Sequence, residues 1–243
     1  GSSWNPSPRR VFTQGSMVRG GGPSLVLGDC PAPTSADRAA VQYFVLNKPP
    51  RTITGRSDPH DRPTVYDHVP SHFPPLPHVG RLDWASEGLL LFTDDGRLGR
   101  ALLDKTTGAV VEKVYRVKVR DRLDPQDPRI ALLQEPLDMQ GTPTSPARAR
   151  FLELRTRATW LELVITEGRH HQVRHLCARS GFPVLKLRRQ ALGPLDLGDL
   201  KLRWSRPLLQ EEVQALYAAA LPGEAPPPFE PIDDSAAARA ARS

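Results

Sequence analysis

Short apolar and alternating segments predict a chain rich in β-strands. They lie at residues 41–47, 89–92, 111–119, 148–154, 160–166 and 184–187. The segment at 89–92 is continuously apolar, which is typical of a strand buried on both faces. Within residues 111–119, the alternation places Lys113, Tyr115, Val117 and Val119 on one face.

Helical spacing and capping residues predict five helices along the chain. They cover about residues 65–69, 97–105, 124–134, 170–180 and 209–220. Asp95 is the expected N-terminal cap of the second helix, and Gly181 is the expected stop of the fourth. Strands outnumber helices and do not alternate with them regularly. We therefore predict an α+β fold with a mostly antiparallel mixed sheet, flanking helices and a central cleft.

One folded domain is expected, spanning residues 39–221. Residues 1–38 contain Gly20-Gly21-Gly22 and scattered Ser and Pro, a composition that predicts a flexible tail. We interpret this tail first as a cloning remnant with a flexible leader. A targeting segment is the second interpretation, because the first 28 residues contain Arg but no acid. Residues 222–243 are rich in Pro and Ala, and we predict that they are disordered.

Composition narrows the classes of protein without selecting one. The formal charge of +6 and the sequence pI of about 9.7 are compatible with a nucleic-acid partner. Cys30 and Cys177 lie far apart, which argues against a disulfide framework and a zinc site, so a cytoplasmic location is expected. An organellar location is the alternative if the N-terminus is a transit peptide. No apolar run approaches the roughly 20 residues of a membrane helix, so no membrane partner is expected.

The most informative stretch is residues 79–96, which carries Asp83 between an Arg-Leu pair and the apolar strand. Rigid elements on both sides would hold the carboxylate in one place, as a catalytic group requires. A lone Asp in a turn is more commonly a surface residue. The weight given to Asp83 therefore depends on four other motifs.

Five motifs follow one another in a fixed order. They are Asn47-Lys48-Pro49; Gly80-Arg81-Leu82-Asp83 with Ser86-Glu87-Gly88-Leu89-Leu90; Lys113-Val114-Tyr115-Arg116-Val117; Glu167-Gly168-Arg169-His170-His171-Gln172-Val173-Arg174; and Val184-Leu185-Lys186-Leu187-Arg188-Arg189. In this order and spacing the chain resembles the RsuA-type ribosomal RNA pseudouridine synthases over about residues 41–218. The absence of an S4-like segment and the Ser86-Glu87 pair make it most similar to the RluE branch.

The resemblance implies an isomerase that breaks the uridine C1′–N1 bond, rotates the base and rejoins it through C5, without metal or organic cofactor. Asp83 matches the catalytic aspartate, and Tyr115 matches the tyrosine that stacks on the base and helps to remove the C5 proton. Arg174 matches the basic partner of the aspartate. Arg81 matches an arginine that fills the space left by the flipped nucleotide, and Leu187 matches an apolar pocket residue.

Further substrate-binding residues are expected at Lys113, Arg169, Gln172 and Arg189. Lys48 and Pro49 match a motif considered mainly structural. A larger cationic set is expected to form one rim for RNA phosphates, with some members facing solvent: Lys113, Arg116, Lys118, Arg169, Lys186, Arg188 and Arg189.

A physical argument supports the pairing of Asp83 with Arg174. A reactive carboxylate must stay ionised, and an adjacent guanidinium lowers its pKa and fixes its direction. Arg174 lies beside the apolar stripe of its helix, formed by Val173, Leu176 and Cys177, where a charge needs a partner. We therefore expect the two side chains to lie within about 4 Å, salt-bridge reach.

A metal site at His170 and His171 is not expected, because neighbouring positions on a helix diverge and no carboxylate or Cys completes a site. The expected substrate is large-subunit ribosomal RNA, acted on by a monomer. Two alternatives are a non-catalytic RNA-binding ribosome-assembly factor and a tRNA-directed pseudouridine synthase. His170-His171 and His175-Leu176 depart from the commoner family residues and place RNA affinity or substrate choice in question.

Overall fold

The computed structural model describes residues 40–104 and 109–232. Within them the strands are β1 (Tyr43–Lys48), β2 (His78–Val79), β3 (Ser86–Thr93), β4 (Lys113–Val119), β5 (Arg148–Arg155), β6 (Ala158–Ile165), β7 (Val184–Leu192), β8 (Leu195–Asp196) and β9 (Ser205–Pro207). The helices are a 3₁₀ helix (Val65–His68), α1 (Gly96–Ala101), α2 (Pro128–Leu132), α3 (Gln172–Arg179) and α4 (Gln210–Ala220).

The described strands form one mixed sheet in the order β5-β6-β4-β7-β3-β1-β9, with β2 paired to β3 and β8 to β7. β3 and β7 run parallel, and the other neighbours in this order run antiparallel. The α+β prediction with a mostly antiparallel sheet is confirmed. The parallel β3–β7 pair joins two segments about 100 residues apart and places the Asp83 turn beside β7.

Three apolar clusters hold the elements on the sheet. α2 and α3 pack on one face of β4 and β6 around Val117, Leu163 and Leu176. α1 and α4 pack on β1 and β3, while the 3₁₀ helix covers Phe44 and Phe92 on the other side of those strands. Because β3 is covered on both faces, its continuous apolar sequence is explained.

Two helices begin later than the sequence predicted. α2 begins at Pro128 because Asp127 accepts a hydrogen bond from the Arg129 amide. α3 begins at Gln172, since His171 adopts a left-handed conformation with φ +56°. His170 and His171 therefore precede the helix, which changes the geometry of the candidate site.

β7 is more than twice as long as the predicted strand and runs on through Arg188, Arg189 and Gln190. Polar residues on both faces hid this extension from the apolar pattern. The strand nevertheless pairs with β4 almost throughout, and it borders β3 at Leu187, Arg188 and Arg189.

The predicted disorder from residue 222 is wrong for the described part of that segment. Phe229 packs edge-on against Tyr43 with ring centroids 5.6 Å apart. The Val41 amide donates to the Pro228 carbonyl over 3.3 Å, and Ile232 is buried. The composition misled because a few apolar residues suffice to anchor a Pro-rich segment on β1. The predicted tail at residues 1–38 and the end at residues 233–243 lie outside the described residues.

No helix in the described part of the chain is long and apolar enough to cross a membrane.

Candidate active site

Asp83 lies in the turn between β2 and β3, and backbone contacts fix this turn from both sides. The Ser86 amide donates to the Asp83 carbonyl over 3.0 Å. Just upstream, the Thr54 hydroxyl donates to the Leu82 carbonyl over 2.7 Å. The main chain that presents the carboxylate is therefore held at adjacent residues. Thr54 belongs to none of the sequence motifs and was not predicted.

Lys48, a fully buried lysine at the end of β1, also holds this turn through hydrogen bonds. Its ammonium donates to the carbonyls of Pro49 (3.1 Å), Asp83 (3.1 Å) and Ser86 (2.8 Å). Burial lowers the pKa of Lys48 to about 8, against the opposing attraction of Asp83 and Glu87. These contacts give a physical reason for the Lys48-Pro49 motif, for which the family resemblance implied a mainly structural role.

Each oxygen of the Asp83 carboxylate faces a different basic side chain. Arg174 Nε lies 3.8 Å from Asp83 Oδ2, within the distance expected from the sequence. His171 Nε2 lies 3.3 Å from Asp83 Oδ1. The Ser86 hydroxyl donates to Oδ2 over 3.5 Å and accepts a hydrogen bond from Arg174 over 3.4 Å. Ser86 and His171 were quoted within motifs, but sequence reasoning gave neither of them a role at the carboxylate.

The argument against a metal site at the two histidines rested on a wrong premise. His170 and His171 do not diverge, since their rings stack with centroids 3.8 Å apart ahead of α3. One ring nitrogen of each histidine and one carboxylate oxygen of Asp83 all lie within 4.8 Å of one another. These residues could supply three ligands to a cation. The Arg174 guanidinium at the same carboxylate opposes that use by charge repulsion.

Asp83 lines a cavity of about 530 Å³, called here the Asp83 cavity. Tyr115 and Leu187, on the neighbouring strands β4 and β7, line it and are almost fully buried. Arg81 lines it with an exposed side chain. The predicted substrate-binding residues Lys113, Arg169, Gln172 and Arg189 also line the cavity. The structure thus gathers at one cavity residues from four motifs.

Two of the predicted substrate-binding residues are already engaged inside the protein. Gln172 donates to buried Glu167 over 2.8 Å and accepts from the Arg169 amide over 3.2 Å. The Arg169 guanidinium contacts Glu167 and donates to the carbonyls of Thr142 and Pro143, both at 2.7 Å. This network fixes the turn before α3, which carries His171.

Arg189 and Gly88 fix the contact between β7 and β3 beside the cavity. Arg189 is buried and donates from Nε to the Leu89 carbonyl over 2.8 Å. One of its terminal nitrogens is buried without a hydrogen-bond partner. Gly88 has φ +112°, and a Cβ there would lie 2.2 Å from the Arg189 carbonyl oxygen. The glycine is therefore required by this close approach of two backbones.

The expected single rim of phosphate-binding cations is wrong, because the sheet separates the set. Lys113, Arg169 and Arg189 line the Asp83 cavity. Arg116, Lys186 and Arg188 line a different cavity, and Lys118 alternates with Val117 on that same side of β4. Neighbouring residues on a strand point to opposite faces of the sheet. Cations that are adjacent in the sequence of a strand therefore lie on different faces.

Cys177 in α3 is fully buried, and burial raises the pKa of its thiol to about 12. Such a thiol has no accessible thiolate for chemistry. Cys30 lies outside the described residues.

The chain is similar to known proteins. A family model described as RNA pseudouridylate synthase matches residues 42–179, more than half of the chain. The chain is 37% identical over 175 residues to "Ribosomal large subunit pseudouridine synthase E" of Xanthomonas campestris, covering 65% of this chain and 90% of that protein. It is 33% identical over 174 residues to the protein of the same name in Vibrio parahaemolyticus, covering 66% and 71%.

A second named relative and a solved structure agree. "Ribosomal large subunit pseudouridine synthase B" of Bacillus subtilis is 32% identical over 189 residues, covering 76% of this chain and 75% of that one. A crystal structure of a pseudouridylate synthase matches with a TM-score of 0.60 and 32% identity, covering 72% and 74%. With the match of the family model, these relatives show that the chain belongs to the RNA pseudouridylate synthase family, and the relatives named E support its RluE-type branch.

Proposed function

We propose that this protein converts a specific uridine of large-subunit ribosomal RNA to pseudouridine, with Asp83 as the catalytic group. The observation that carries the proposal is the Asp83 carboxylate held between Arg174 and His171 at the mouth of a cavity lined by Tyr115 and Leu187. The large-subunit substrate is supported by the names of the relatives in Xanthomonas, Vibrio and Bacillus.

The reaction requires an ionised carboxylate at the C1′ side of the nucleotide. Arg174, with Nε 3.8 Å from Oδ2, and the Ser86 hydroxyl direct one oxygen of the carboxylate. Asp83 takes part in breaking the C1′–N1 bond, the freed base turns within the cavity, and C5 bonds to C1′. The C5 proton leaves and N1 gains a proton, so the base keeps its composition and no redox partner or cofactor is needed.

The cavity walls suit a nucleotide that has left its stack. Extrusion of a base costs a few kcal/mol, and stacking on an aromatic ring recovers part of that cost. Tyr115 supplies this surface and assists removal of the C5 proton, while Leu187 excludes water beside it. Arg81, exposed at the cavity, fills the space that the nucleotide leaves in the RNA.

Replacement of Asp83 tests this proposal. We expect Asp83→Asn to abolish pseudouridine formation, as measured by carbodiimide mapping across ribosomal RNA from cells with the wild-type gene, the variant or neither. Asp124→Asn is the matched control, because exposed Asp124 lies beyond β4 and its side-chain oxygen accepts from the Gln126 amide, a role that Asn retains. The control should modify RNA like the wild type.

Other outcomes would favour the alternative functions. Full modification by Asp83→Asn would exclude the mechanism. Normal growth rescue by Asp83→Asn, with no modified uridine in any strain, would indicate a non-catalytic assembly factor. A protein-dependent pseudouridine in tRNA but not in ribosomal RNA would indicate a tRNA-directed enzyme.

A further inference from the structure

Two successive rows of like charges cross the outer face of the central strands. In the antiparallel register of β4 with β7, Arg116 stands directly opposite Arg188, and Lys118 stands directly opposite Lys186. Cross-strand neighbours lie about 5 Å apart at their Cβ atoms, and like charges in this position destabilise a sheet. We call these four residues the cationic patch.

Charges within the protein compensate little of this repulsion. Lys186 contacts buried Glu87 at 3.0 Å. Arg116 also neighbours Glu162 on β6, but that carboxylate contacts Arg150 at 2.6 Å. Among the described residues, Arg116, Lys118 and Arg188 form no ion pair within 4.0 Å, and Nε of Arg188 is buried without a hydrogen-bond partner. Of the four patch residues, only Lys186 gains an ion pair within the described protein, and the repulsion among the others is a structural cost.

The patch borders a second cavity of about 590 Å³, on the side of the sheet away from Asp83. Gln190 and Asn47 line it, and each has a buried side-chain oxygen without a hydrogen-bond partner. Three carboxylates, Glu87, Asp196 and Asp199, also line it, and Asp196 accepts from Gln190 over 3.0 Å. The residues that line this cavity thus include side-chain groups that a polar ligand could satisfy.

The loop that closes this cavity adds an aromatic surface. Lys201 lines the cavity and lies over the Trp204 ring at 5.2 Å from its centroid. Trp204 is 50% exposed, which is unusual for so large an apolar ring. Cations beside an exposed aromatic ring match how proteins hold RNA, by phosphate contacts and base stacking.

We propose that the cationic patch is a second RNA-binding surface, which holds a segment of the substrate RNA outside the one that carries the target uridine. This inference rests on the proposed ribosomal RNA substrate. It deepens that proposal, because one RNA would contact both faces of the sheet, the target at the Asp83 cavity and a flanking segment at the patch.

The layout of the patch favours an RNA backbone over a small anion. The two rows are separated by about 6.7 Å along the strands, so the four cations originate from two successive rows of the sheet rather than from one position. A single phosphate would engage a converging set, whereas a chain of phosphates extends along an array. The carboxylates of Glu87, Asp196 and Asp199 would also oppose a small anion inside the cavity itself.

The test measures RNA binding by the double variant Arg116→Gln/Lys118→Gln. Lys186 is left in place because its removal would strand buried Glu87. The charge-matched control is Arg122→Gln/Arg157→Gln, two exposed arginines that lie outside the strands and line neither of the two cavities. The probes are deproteinised large-subunit ribosomal RNA and a short stem-loop that carries only the mapped uridine, each titrated over a range of salt concentrations.

We expect the patch variant to bind the long RNA about tenfold more weakly than the control variant. The magnitude of the negative slope of log K against log salt should fall by roughly 1.4, from about 0.7 for each of two lost single-strand phosphate contacts. Binding of the stem-loop should be the same for both variants.

Three outcomes would overturn the inference. In the first, both variants bind the long RNA equally. In the second, the patch variant loses as much affinity for the stem-loop as for the long RNA. In the third, inorganic phosphate stabilises the wild type but not the patch variant, and RNA binding is unchanged. Failure of the proposed function would show separately, as absence of pseudouridine with the wild-type protein. The binding comparison on long RNA does not depend on that result.

Discussion

The two faces of strands β4 and β7 carry cations in opposite circumstances. On the face toward Asp83, Arg174 contacts a carboxylate, Arg169 contacts Glu167, and Arg189 donates to a carbonyl. On the other face, Arg116 and Arg188 oppose each other without a described counter-ion. Strand alternation places Arg189 of β7 on the first face and its neighbour Arg188 on the second. Arg174 and Arg169 reach the first face from α3 and the turn before it.

This difference indicates which side chains are held in place before RNA binds. Side chains that contact the reacting atoms must be held in place in advance, so their charges are satisfied within the fold. Cations that bind an RNA backbone can remain without a counter-ion until RNA binds, at a cost only to the stability of the fold. Substitutions on the Asp83 face should therefore impair activity or stability, whereas removal of a charge on the other face should raise stability.

The largest effect is expected at the Asp83 face. Arg174→Met should lower kcat by about 10²-fold or more, because the carboxylate loses the group that orients it, and small misplacements of a reacting group have effects of this size. Single-turnover kinetics on saturating RNA measure it. Arg122→Met, an exposed site away from both cavities, is the control, and an equal kcat for the two variants would contradict the role of Arg174.

The next effect concerns stability at the contact between β3 and β7. Gly88→Ala should lower the free energy of unfolding by roughly 3 kcal/mol or more, because the new methyl group meets the Arg189 backbone and φ is +112°. Urea denaturation measures it. Gly96→Ala, with no atom within 4 Å of the added Cβ, should be neutral or stabilising by up to about 1 kcal/mol. Equal effects of the two substitutions would refute the close-approach argument.

Lys48 gives a pH-dependent test of the support beneath Asp83. The unfolded chain holds the Lys48 proton up to about pH 10.5, whereas the folded protein releases it near pH 8. Between these values the unfolded state binds more protons, so the stability of the wild type rises with pH. The contribution is at most about 1.4 kcal/mol per pH unit.

Lys48→Met lacks this contribution and loses three hydrogen bonds. We expect it to be less stable than the wild type at pH 7.5 and to fall further behind at pH 9.5. Urea denaturation at both pH values measures the gap. Tyr43 and Tyr217, whose pKa values burial raises, affect both proteins alike. A gap that narrows with pH would show that the Lys48 pKa is not lowered.

The smallest effect, of opposite sign, is expected on the outer face. Lys118→Gln removes a charge that faces Lys186 and should raise the free energy of unfolding by about 0.2–1 kcal/mol at low salt. The gain should shrink at 1 M salt, where the screening length is about 3 Å. Arg157→Gln, on the exposed turn between β5 and β6, is the control. A stability loss for Lys118→Gln would show that the patch is not under repulsion.

Much of the site followed from sequence because its residues lie in motifs with local structure. The turn that carries Asp83 and the apolar β3 behind it were predicted, as was the nearness of Arg174. Ser86 and His171 were missed as partners of Asp83, because a hydroxyl and a lone imidazole give no pattern. His171 faces the carboxylate only through its left-handed backbone, which the helical spacing of residues 170–180 concealed.

The sequence by itself determined the strand and helix types, the α+β class and the identity of the motif residues, because periodicity and turn chemistry are local. Tertiary structure decided which distant residues meet. The parallel pairing of β3 with β7 places Leu187 beside Ser86, and the buried ammonium of Lys48 reaches the carbonyl of Asp83. It also decided the division of the cations between two faces, because strand register, rather than closeness along the chain, sets which charges are neighbours.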